Sequence, residues 1–528
     1  MRGLRGSAVS GVAVLAAMVF GVSCVAIATR WGIGSSPDSA AYLGAAANLR
    51  RGLGLTLPYG AGGSLTQFPP LYPIGLALAG AVAGDLGSGA RWVQALLMAG
   101  NIIIVAALLV RVGRWAPYAG IAFMVTALPM VLIHSMAWSE ALFIFLGFSG
   151  ILVLGRGLDR SRRSFIWAAA ALFGLACLTR LVGLAFVLTG VLGILLQPGR
   201  LGRKAVRAGA FGLVASLPIL GWLAWSAATT GSLANRTLGL HLIGRTQLQQ
   251  AVGTMAGWFL LPQDLPGLAK GVVLVAVGLA TVGLVWLPLR RRTASPADSS
   301  ADAQPWQPTE LRLVTIFVLT YVAVLGAATS LLDANVPWDD RILSPLFVAT
   351  VILGAAAVDR VLTMGLARRG TLASWLAPMI ILFIAVWVVG VAVRSADYLA
   401  TAYDEGLGFR HRIWRQSQTV ARLGSLAQDT VIYSNSPEAV YLYTGRAARF
   451  LPRQEFYMGD RTNPSYAAEL AGLEQTLHEA VGAIVYFDAV PARSFPSLDE
   501  LSQGLGPVHV DRAADGVILT PAVAAESS

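Results

Sequence analysis

The chain has 528 residues, of which 55% are hydrophobic and only 13% are charged, with a mean hydropathy of +0.65. This composition excludes a soluble protein with a single core, because no globule of this size has enough interior. The net charge of +11 does not indicate a nucleic-acid partner. The basic excess lies in short loops between apolar segments of the first 394 residues, where it reports membrane topology.

Those 394 residues contain eleven apolar segments, and we expect each to cross a membrane as a helix. A hydrocarbon core about 30 Å thick requires roughly 20 apolar residues per helical crossing. Arginine clusters fall between the segments, and the positive-inside rule puts such clusters in the cytoplasm. The spans that satisfy this rule are 8–28, 91–110, 117–134, 139–155, 164–179, 181–197, 207–228, 268–289, 311–331, 342–358 and 371–393.

The odd number of spans predicts a multi-pass protein of the plasma (inner) membrane, with a cytoplasmic N-terminus and an extracytoplasmic tail. The first apolar run lacks a convincing cleavage site, so we interpret it as an uncleaved span rather than a signal peptide. We predict a membrane domain at 1–394 and a small α/β domain at 395–528. A cytoplasmic linker at 290–310, rich in Ala, Ser, Pro and Asp, interrupts the membrane domain.

The first external loop, 29–90, opens with Ser35-Ser36-Pro37-Asp38, which is typical of a helix start. Asp38 would lie in the first turn, where the helix dipole favours its ionised form and where it could act as a base or only stabilise the helix. Later in the loop, an apolar segment at 69–84 is short for a crossing. We predict that it is re-entrant or interfacial, since a crossing would move the downstream arginines outside; a short true span is the alternative.

Glu140 begins a predicted span, directly after Ser139. A charged side chain costs roughly 2.5 to 3.5 kcal/mol at the bilayer centre and less at its edge, so an acid in this position usually faces a polar cavity. A functional role is therefore the first hypothesis for Glu140. The simpler explanation is that Ser139-Glu140 forms an ordinary helix N-terminus.

Arg180 and Arg341 lie in loops that the topology places outside, where the positive-inside rule disfavours them. A phosphate ligand would explain both, because guanidinium binds phosphate oxygens in a bidentate fork. For Arg341, an ion pair with Asp339 or Asp340 is the competing explanation.

The tail changes character after 395, where 430–433 and 483–487 have the pattern of buried strands and 465–480 that of a helix. The histidines 134 and 241 are isolated, and both cysteines lie inside apolar spans. No metal site is therefore predicted.

Taken together, several short motifs resemble those of the GT-C superfamily of membrane glycosyltransferases, particularly bacterial relatives of the protein O-mannosyltransferases and of the lipid A aminoarabinose transferase. The resemblance covers about residues 8–360. It depends on the order and sidedness of motifs that are individually degenerate. These motifs are Asp38 with Tyr42, Phe68-Pro69-Pro70-Leu71-Tyr72-Pro73, Ser139-Glu140, Leu178-Thr179-Arg180, and Arg341 before Ser344-Pro345.

The resemblance implies a glycosyltransferase that moves a sugar from a polyprenyl-phosphate donor to a protein, lipid or polysaccharide acceptor outside the cytoplasm. It implies that Asp38 is the base of an inverting transfer and that Glu140 orients a substrate. Arg341, with Arg180, would hold the departing phosphate. Tyr42 and Tyr72 would contribute to substrate binding.

The sequence also departs from the resembled families. Protein O-mannosyltransferases commonly have two adjacent acids in the first loop, whereas Ser39 follows Asp38 here. Oligosaccharyltransferases bind a divalent metal through a longer acidic motif, which this chain matches only at Glu140. A divalent metal is thus compatible with the resemblance but has no support from the residues.

Two other functions compete with the transferase. A lipid-linked saccharide flippase or other transporter should have broken helices near the middle of the membrane, related halves and charges deep in the bundle. This chain has its unusual charges at one rim and no visible repeat, which favours the enzyme. The third hypothesis is a non-catalytic membrane partner whose external domain binds.

Overall fold

The computed structural model of the chain describes residues 2–234, 239–240, 242–286, 308–332, 336–367, 371–455, 462–479, 482–491, 495–504 and 508–521. These residues form a helical bundle followed by a small α/β domain, which confirms the predicted fold class. Most of the linker predicted at 290–310 lies outside the described residues.

The bundle begins at α1 and ends with a long helix, α15, that continues past the predicted domain boundary at 394 to Glu405. Eight described helices are long and apolar enough to cross a membrane, or nine if the bent pair α5 and α6 forms one span. The helices are α1 (Arg2–Ala28), α2 (Pro37–Arg50), α3 (Leu71–Ala83), α4 (Leu86–Leu109), α5 (Ala116–Thr126), α6 (Leu128–Ser135), α7 (Glu140–Asp159), α8 (Arg163–Cys177), α9 (Leu184–Leu195), α10 (Leu201–Thr230), α11 (Arg245–Trp258), α12 (Gly267–Trp286), α13 (Thr309–Leu331), α14 (Ser344–Ala367) and α15 (Thr371–Glu405).

Two ion clusters mark the two ends of the bundle, and α7 connects them. Glu140, its first residue, belongs to one cluster, and Asp159, its last, to the other. At the Asp159 end, Arg111 pairs with Asp159 at 2.8 Å and with Glu310 of α13 at 2.5 Å. The 20 residues of α7 span roughly 30 Å at 1.5 Å per residue. We call the Glu140 end the site end and the Asp159 end the opposite end.

Two shorter apolar helices, α8 and α9, also join these ends. The start of α8 packs Phe165 against Gly157 of α7, and Arg180 follows its other end and reaches Glu140. Along α9, Gly193 packs against Leu313 near the start of α13. The described residues thus contain eight or nine segments long enough to cross a membrane, and the crossing of α8 and α9, which the predicted total of eleven requires, remains a prediction.

The third short apolar helix, α3, is placed differently. Leu71 at its start donates its backbone N–H to the Leu178 carbonyl at 3.0 Å, while Gly80 packs against Leu86 and Gly89 of α4. Because α3 is antiparallel to the first turns of α4, it starts near the site end and turns back at Gly84 without reaching the opposite end. Its position relative to a bilayer remains a prediction.

The single span predicted at 117–134 is wrong in detail, because the chain forms two helices bent by 54° there. Ala127, between α5 and α6, has an extended backbone with φ −83° and ψ 132°. Pro129 follows in the first turn of α6. Proline has no N–H to donate and its ring crowds the carbonyl four residues earlier, so the hydrogen-bond ladder of α5 cannot continue into α6.

Aromatic rings from five helices, α7 to α10 and α13, fill the bundle core. Phe186 of α9 stacks on Phe317 of α13 with ring centroids 4.3 Å apart, and it also stacks on Phe173 of α8. Gly147 and Gly150 of α7 lie directly against these rings, where a methyl group would overlap them. Small residues of this kind let membrane helices approach closely. The packing thereby fixes α7, α8 and α13 relative to one another.

The tail domain is a five-stranded mixed sheet in the order β2-β1-β3-β5-β4, with helices on both faces. β1 pairs in parallel with β2 and β3, and β5 pairs antiparallel with β3 and β4. The predicted strands and helix of this domain are confirmed. The elements are α16 (Arg412–Arg415), α17 (Gln418–Arg422), β1 (Val431–Ser434), α18 (Pro437–Thr444), β2 (Ala448–Phe450), α19 (Tyr466–Glu479), β3 (Gly482–Phe487), α20 (Leu498–Gly504), β4 (Val508–Ala513) and β5 (Gly516–Pro521).

Backbone hydrogen bonds connect the first loop to both the bundle and the tail. Gly34 donates to the Ser135 carbonyl at 2.9 Å and accepts from Ala137 at 2.8 Å. Phe409, at the start of the tail, donates to the Ser35 carbonyl at 2.8 Å. These bonds hold the start of α2 at the site end of the bundle, beside the start of α7.

Candidate active site

Four charged side chains from separate parts of the chain meet at the site end. Arg341 Nη1 lies 2.7 Å from Asp38 Oδ2, and Arg341 Nε donates to Glu140 Oε1 at 2.5 Å. Arg180 Nη1 donates to the same Glu140 oxygen. The structure therefore brings together the four charged residues that the sequence singled out, with Arg341 bridging the two acids.

Local structure explains the position of each acid. Ser36 is the N-cap of α2 and accepts the Ser39 backbone N–H, while Pro37 fixes the first turn and places Asp38 within it. Glu140 begins α7. Both acids thus lie at helix N-termini, where the helix dipole favours a negative charge.

Each arginine occupies a turn at the end of a helix. Arg180 follows α8 in an extended conformation. Arg341 precedes α14, and Asp339 Oδ1 accepts the backbone N–H groups of Arg341 and Ile342, both at 3.0 Å. Tyr321 donates its hydroxyl to the Ile342 carbonyl at 2.6 Å and holds the turn from the bundle side.

These contacts exclude one of the two explanations for Arg341, the ion pair with Asp339 or Asp340. Among the described residues, the Asp339 carboxylate accepts only backbone N–H groups of this turn, and Asp340 accepts the indole N–H of Trp258 at 2.8 Å. The guanidinium instead pairs with Asp38 and Glu140. Pairing with its sequence neighbours therefore does not account for its position.

Glu140 is 1% exposed, which makes it the most buried of the four charges. Its Oε1 accepts from both arginines, whereas no hydrogen-bond partner of Oε2 is found in the part of the chain that the structure describes. A buried carboxylate is stable only when it is paired, so Glu140 is an anchor for the two guanidinium groups.

The Arg341 guanidinium stacks on the Trp138 ring, with 4.5 Å between its central carbon and the ring centroid. Trp138 in turn donates its indole N–H to Ser36 Oγ at 2.8 Å. Burial disfavours the cation, but Glu140 and Asp38 outweigh that effect and raise the pKa of Arg341. Arg341 is consequently a fixed positive charge in a largely desolvated position.

Aromatic side chains pack behind the charges. Tyr42 lies edge-on to Tyr72, and its hydroxyl is 3.4 Å from Ser139 Oγ. The Tyr72 hydroxyl accepts from Gln94 Nε2 at 2.9 Å. Both tyrosines are fully buried, so the structure places them as supports of the charged cluster. Their predicted part in substrate binding remains a prediction.

Sequence reasoning gave no role to Trp138 or Gln94. Trp138 stands two residues before Glu140, so its proximity to the site could have been predicted from that spacing. Gln94 lies within α4, where it donates to the Trp138 carbonyl at 2.8 Å. A lone glutamine inside an apolar span was the available signal, since polar side chains in such spans usually face the bundle interior.

The structure offers no ligand set for a metal within its described ranges, which contain no group of three or more His, Cys, Asp or Glu able to hold one. His134 is buried inside the bundle, with Nδ1 2.7 Å from the Met130 carbonyl and Nε2 3.1 Å from the Asn101 side chain. His241 lies outside the described residues.

The cluster has the chemistry of an anion site next to a base. Two guanidinium groups, supported from behind by Glu140, can bind phosphate oxygens in a charge-assisted manner. Asp38 is the accessible member, since a third of its side chain is exposed. It can accept a proton from a group that approaches its exposed side.

No protein-family model and no curated protein matches this sequence. Among solved structures, the chain is similar to ArnT from Cupriavidus metallidurans bound to undecaprenyl phosphate. The TM-score is 0.56 and the identity 14%, over 96% of this chain and 97% of that chain.

Two further solved structures are similar over almost all of this chain. The Archaeoglobus fulgidus oligosaccharyltransferase in complex with Zn and sulfate has a TM-score of 0.53 and 11% identity, over 96% of this chain and 73% of that chain. The arabinofuranosyltransferase AftD from Mycobacteria has a TM-score of 0.54 and 13% identity, over 97% of this chain and 40% of that chain. Likeness at these identities is a likeness of fold. The chain therefore has the fold of the GT-C superfamily of membrane glycosyltransferases.

Proposed function

We propose that this chain is a membrane glycosyltransferase that moves a sugar from a polyprenyl-phosphate donor to an acceptor outside the cytoplasm, with inversion at the anomeric carbon. The observation that carries the proposal is the bridge that Arg341 forms between Asp38 and Glu140 at one end of a GT-C fold. In this bridge, the candidate base Asp38 is in direct contact with Arg341, a candidate phosphate ligand.

The two arginines support a phosphate-linked donor. Arg180 and Arg341 keep part of their side chains exposed, at 19% and 16%, although both pair with the buried Glu140. A departing phosphate gains negative charge as the glycosidic bond breaks, and preorganised cations stabilise such charge strongly. The similar ArnT structure contains undecaprenyl phosphate, a lipid of the proposed donor class.

In the proposed step, an acceptor hydroxyl attacks the anomeric carbon on the face opposite the phosphate. The new C–O bond forms as the bond to the phosphate oxygen breaks, and the hydroxyl proton passes to Asp38. The bonding electrons leave with the phosphate, which Arg341 and Arg180 hold. General-base assistance of this kind contributes roughly 10²- to 10⁴-fold to the rate.

The test compares a deletion strain rescued with the wild-type chain, with Asp38→Asn or with Asp85→Asn. Asp85 is a matched control, because it is an exposed carboxylate that caps α4 and asparagine caps helices equally well. We expect Asp38→Asn to reduce the glycan product at least about 100-fold. One polyprenyl-phosphate sugar should accumulate in that strain and identify the donor.

Equal protein levels in the three strains, measured by immunoblot of the membranes, are required for the comparison. Wild-type amounts of product with Asp38→Asn would refute the assignment of the base. If deleting the chain changed neither glycans nor lipid carriers, the transferase itself would be refuted.

A further inference from the structure

The tail domain closes over the first external loop beside Asp38. Tyr441 of α18 lies against Gly44 of α2 and pairs with Tyr59, with ring centroids 5.7 Å apart. Gly60 donates its backbone N–H to the Ala448 carbonyl of β2 at 2.7 Å. Residues that come about 400 positions after Asp38 in the sequence therefore form one wall beside it.

Glu438 lies on the same part of this wall. It precedes Tyr441 by three residues on α18, a spacing that puts two side chains on one helix face. That face points to α2 and Tyr59. Burial, the charge of Glu438 and the charge of Asp38 together hold the pKa of Tyr59 well above its usual range, so its hydroxyl is near both carboxylates.

The Glu438 side chain is unusual because it is buried without a hydrogen-bonding side chain. The residue is 9% exposed, and no ion pair or side-chain hydrogen bond of its carboxylate is found among the described residues. Burial raises its pKa most; its own backbone N–H and the charge of Arg453 lower it, and Asp38 raises it by the smallest contribution. A buried carboxyl without a side-chain partner costs stability.

The tail domain does not need this carboxyl for its own folding. The neighbours Ala439 and Val440 supply the packing of α18 on the sheet, where they join the buried cluster around Ile432 and Val485. Within the domain, only its own backbone N–H and the charge of Arg453 offset part of the cost of burying Glu438. The rest would be offset by a ligand whose donor groups reach the carboxyl.

We propose that Glu438 binds the acceptor, accepting a hydrogen bond from a hydroxyl of an uncharged, hydroxyl-bearing substrate whose reacting hydroxyl faces Asp38. This inference builds on the proposed transferase function and assigns the tail domain to its acceptor side. The donor phosphate is excluded from this position, because Glu438 and Asp38 would repel it whereas Arg180 and Arg341 attract it. The acceptor then enters between the first loop and α18.

The test uses the full-length chain with Glu438→Gln, which removes the charge and keeps the shape. The matched control is Glu474→Gln on α19, a helix that packs on the other face of the sheet through Leu473 and Leu477. Each variant is measured in the rescued deletion strain for glycan product and carrier-linked sugar. Each is also purified and titrated with undecaprenyl phosphate.

For Glu438→Gln we expect roughly a tenfold or larger loss of product, because a hydrogen bond to a charged group is lost. Carrier-linked sugar should accumulate, while the Kd for undecaprenyl phosphate stays within about twofold of wild type. Glu474→Gln should match wild type in all three measurements. Wild-type product with Glu438→Gln, or a parallel loss of undecaprenyl phosphate binding, would overturn the inference.

A second variant is needed in case Glu438→Gln impairs folding. If purified Glu438→Gln unfolds at a lower temperature than wild type, Tyr59→Phe decides the question, since it removes only a hydroxyl near both carboxylates. Loss of product with unchanged undecaprenyl phosphate binding supports the acceptor site, and unchanged product refutes it. If deleting the chain changes neither glycans nor lipid carriers, the transferase proposal fails. If the deletion removes the product but the Glu438 and Tyr59 variants restore it fully, only the acceptor site fails.

Discussion

Asp38 and Glu140 both bind Arg341, but their surroundings differ. The Asp38 side chain is 33% exposed and that of Glu140 is 1% exposed. Removing one partner of a buried ion pair leaves an uncompensated charge, whereas a partly exposed pair contributes little to stability. One acid is therefore needed mainly for folding, and the other is accessible to substrate.

We expect Glu140→Gln to lower the free energy of unfolding by about 3 to 5 kcal/mol, because Arg180 and Arg341 lose the anion that both contact. Asp38→Asn should lower it by about 1 kcal/mol or less. Thermal unfolding of both variants in the same detergent measures the difference. Equal unfolding temperatures would contradict the assignment of Glu140 as the anchor.

The sequence was sufficient to select Asp38, Glu140, Arg180 and Arg341, because each occupies an exceptional position relative to an apolar span. It was not sufficient to show which of them pair. Pairing depends on how far each helix is rotated about its axis, and the packing of rings such as Phe186 on Phe317 sets that rotation. The approach of Glu438 to Asp38 is harder still to predict, since it depends on how two domains meet.

At the level of elements, close packing restricts the backbone of the segment before α2. Because Gly34 has no side chain, the first loop can pack closely against the turn between α6 and α7. A methyl group there would lie 2.9 Å from the Ser135 carbonyl oxygen and 2.3 Å from the Met136 sulfur. Since one of these neighbours is backbone, the turn cannot adjust by a side-chain rotation alone.

Gly34→Ala is expected to separate the first loop from that turn and to break the bond from Ala137 to the Gly34 carbonyl. Hydrogen exchange should detect this as a roughly tenfold or larger loss of protection at the Ala137 amide. Gly75→Ala in α3 is the control, because no atom lies within 4 Å of the added methyl. Unchanged exchange in Gly34→Ala would show that the turn tolerates displacement.

In the tail, Asp515 connects the β4–β5 turn to α17. Its Oδ1 accepts the Thr419 backbone N–H at 3.1 Å and the Thr419 hydroxyl at 3.0 Å. Burial alone would raise the pKa of Asp515, but hydrogen bonds from Ser417 and Thr419 outweigh it and lower the pKa below the ordinary value of 3.8. The charged form therefore stabilises the folded domain.

Asp515→Ala should destabilise the tail by about 1 kcal/mol at neutral pH. A lowered folded-state pKa gives stability that is complete above the ordinary value and disappears as the pH falls through the folded value. The difference between variant and wild type should thus be constant above pH 3.8 and shrink below it. Hydrogen exchange of the β5 amides, corrected for intrinsic rates, measures it; a difference that grows in acid would contradict the assignment.

Some tail elements could be predicted and others could not. β3 is buried along its whole length, and its uninterrupted apolar run indicated a central strand. β4 lies at the sheet edge with half of its residues exposed, and β2 has only three residues. Edge strands lack the apolar pattern that identifies a strand, because only one side of the strand is paired and little of it is buried.

At the scale of the molecule, the distribution of arginine predicts two ends of the bundle, and the side of the membrane on which each end lies remains a prediction. Arg111 lies at the opposite end with Asp159 and Glu310, whereas Asp38 and Glu140 share the site end. A rule about loop charge can predict sidedness because insertion depends on it. The same rule says nothing about the bend at Ala127, which depends on proline.

Labelling with a membrane-impermeant maleimide should reveal this sidedness in intact cells. Both Cys24 and Cys177 are buried and should react slowly. Ser425→Cys, exposed in the tail, should react from outside, and Ser164→Cys, exposed at the opposite end, only after permeabilisation. The reverse pattern would place the tail in the cytoplasm and remove the basis of the predicted topology.

The hydrogen bond that joins Ser35 to Phe409 also affects biosynthesis. A ribosome releases the first loop long before it makes the tail, so the earliest and latest parts of the chain can meet only after every helix between them has been inserted. Contacts this distant in sequence form slowly. If synthesis stops within the membrane part, the first loop has no tail domain to pack against. We expect such incomplete chains to be inactive and exposed to quality-control proteases.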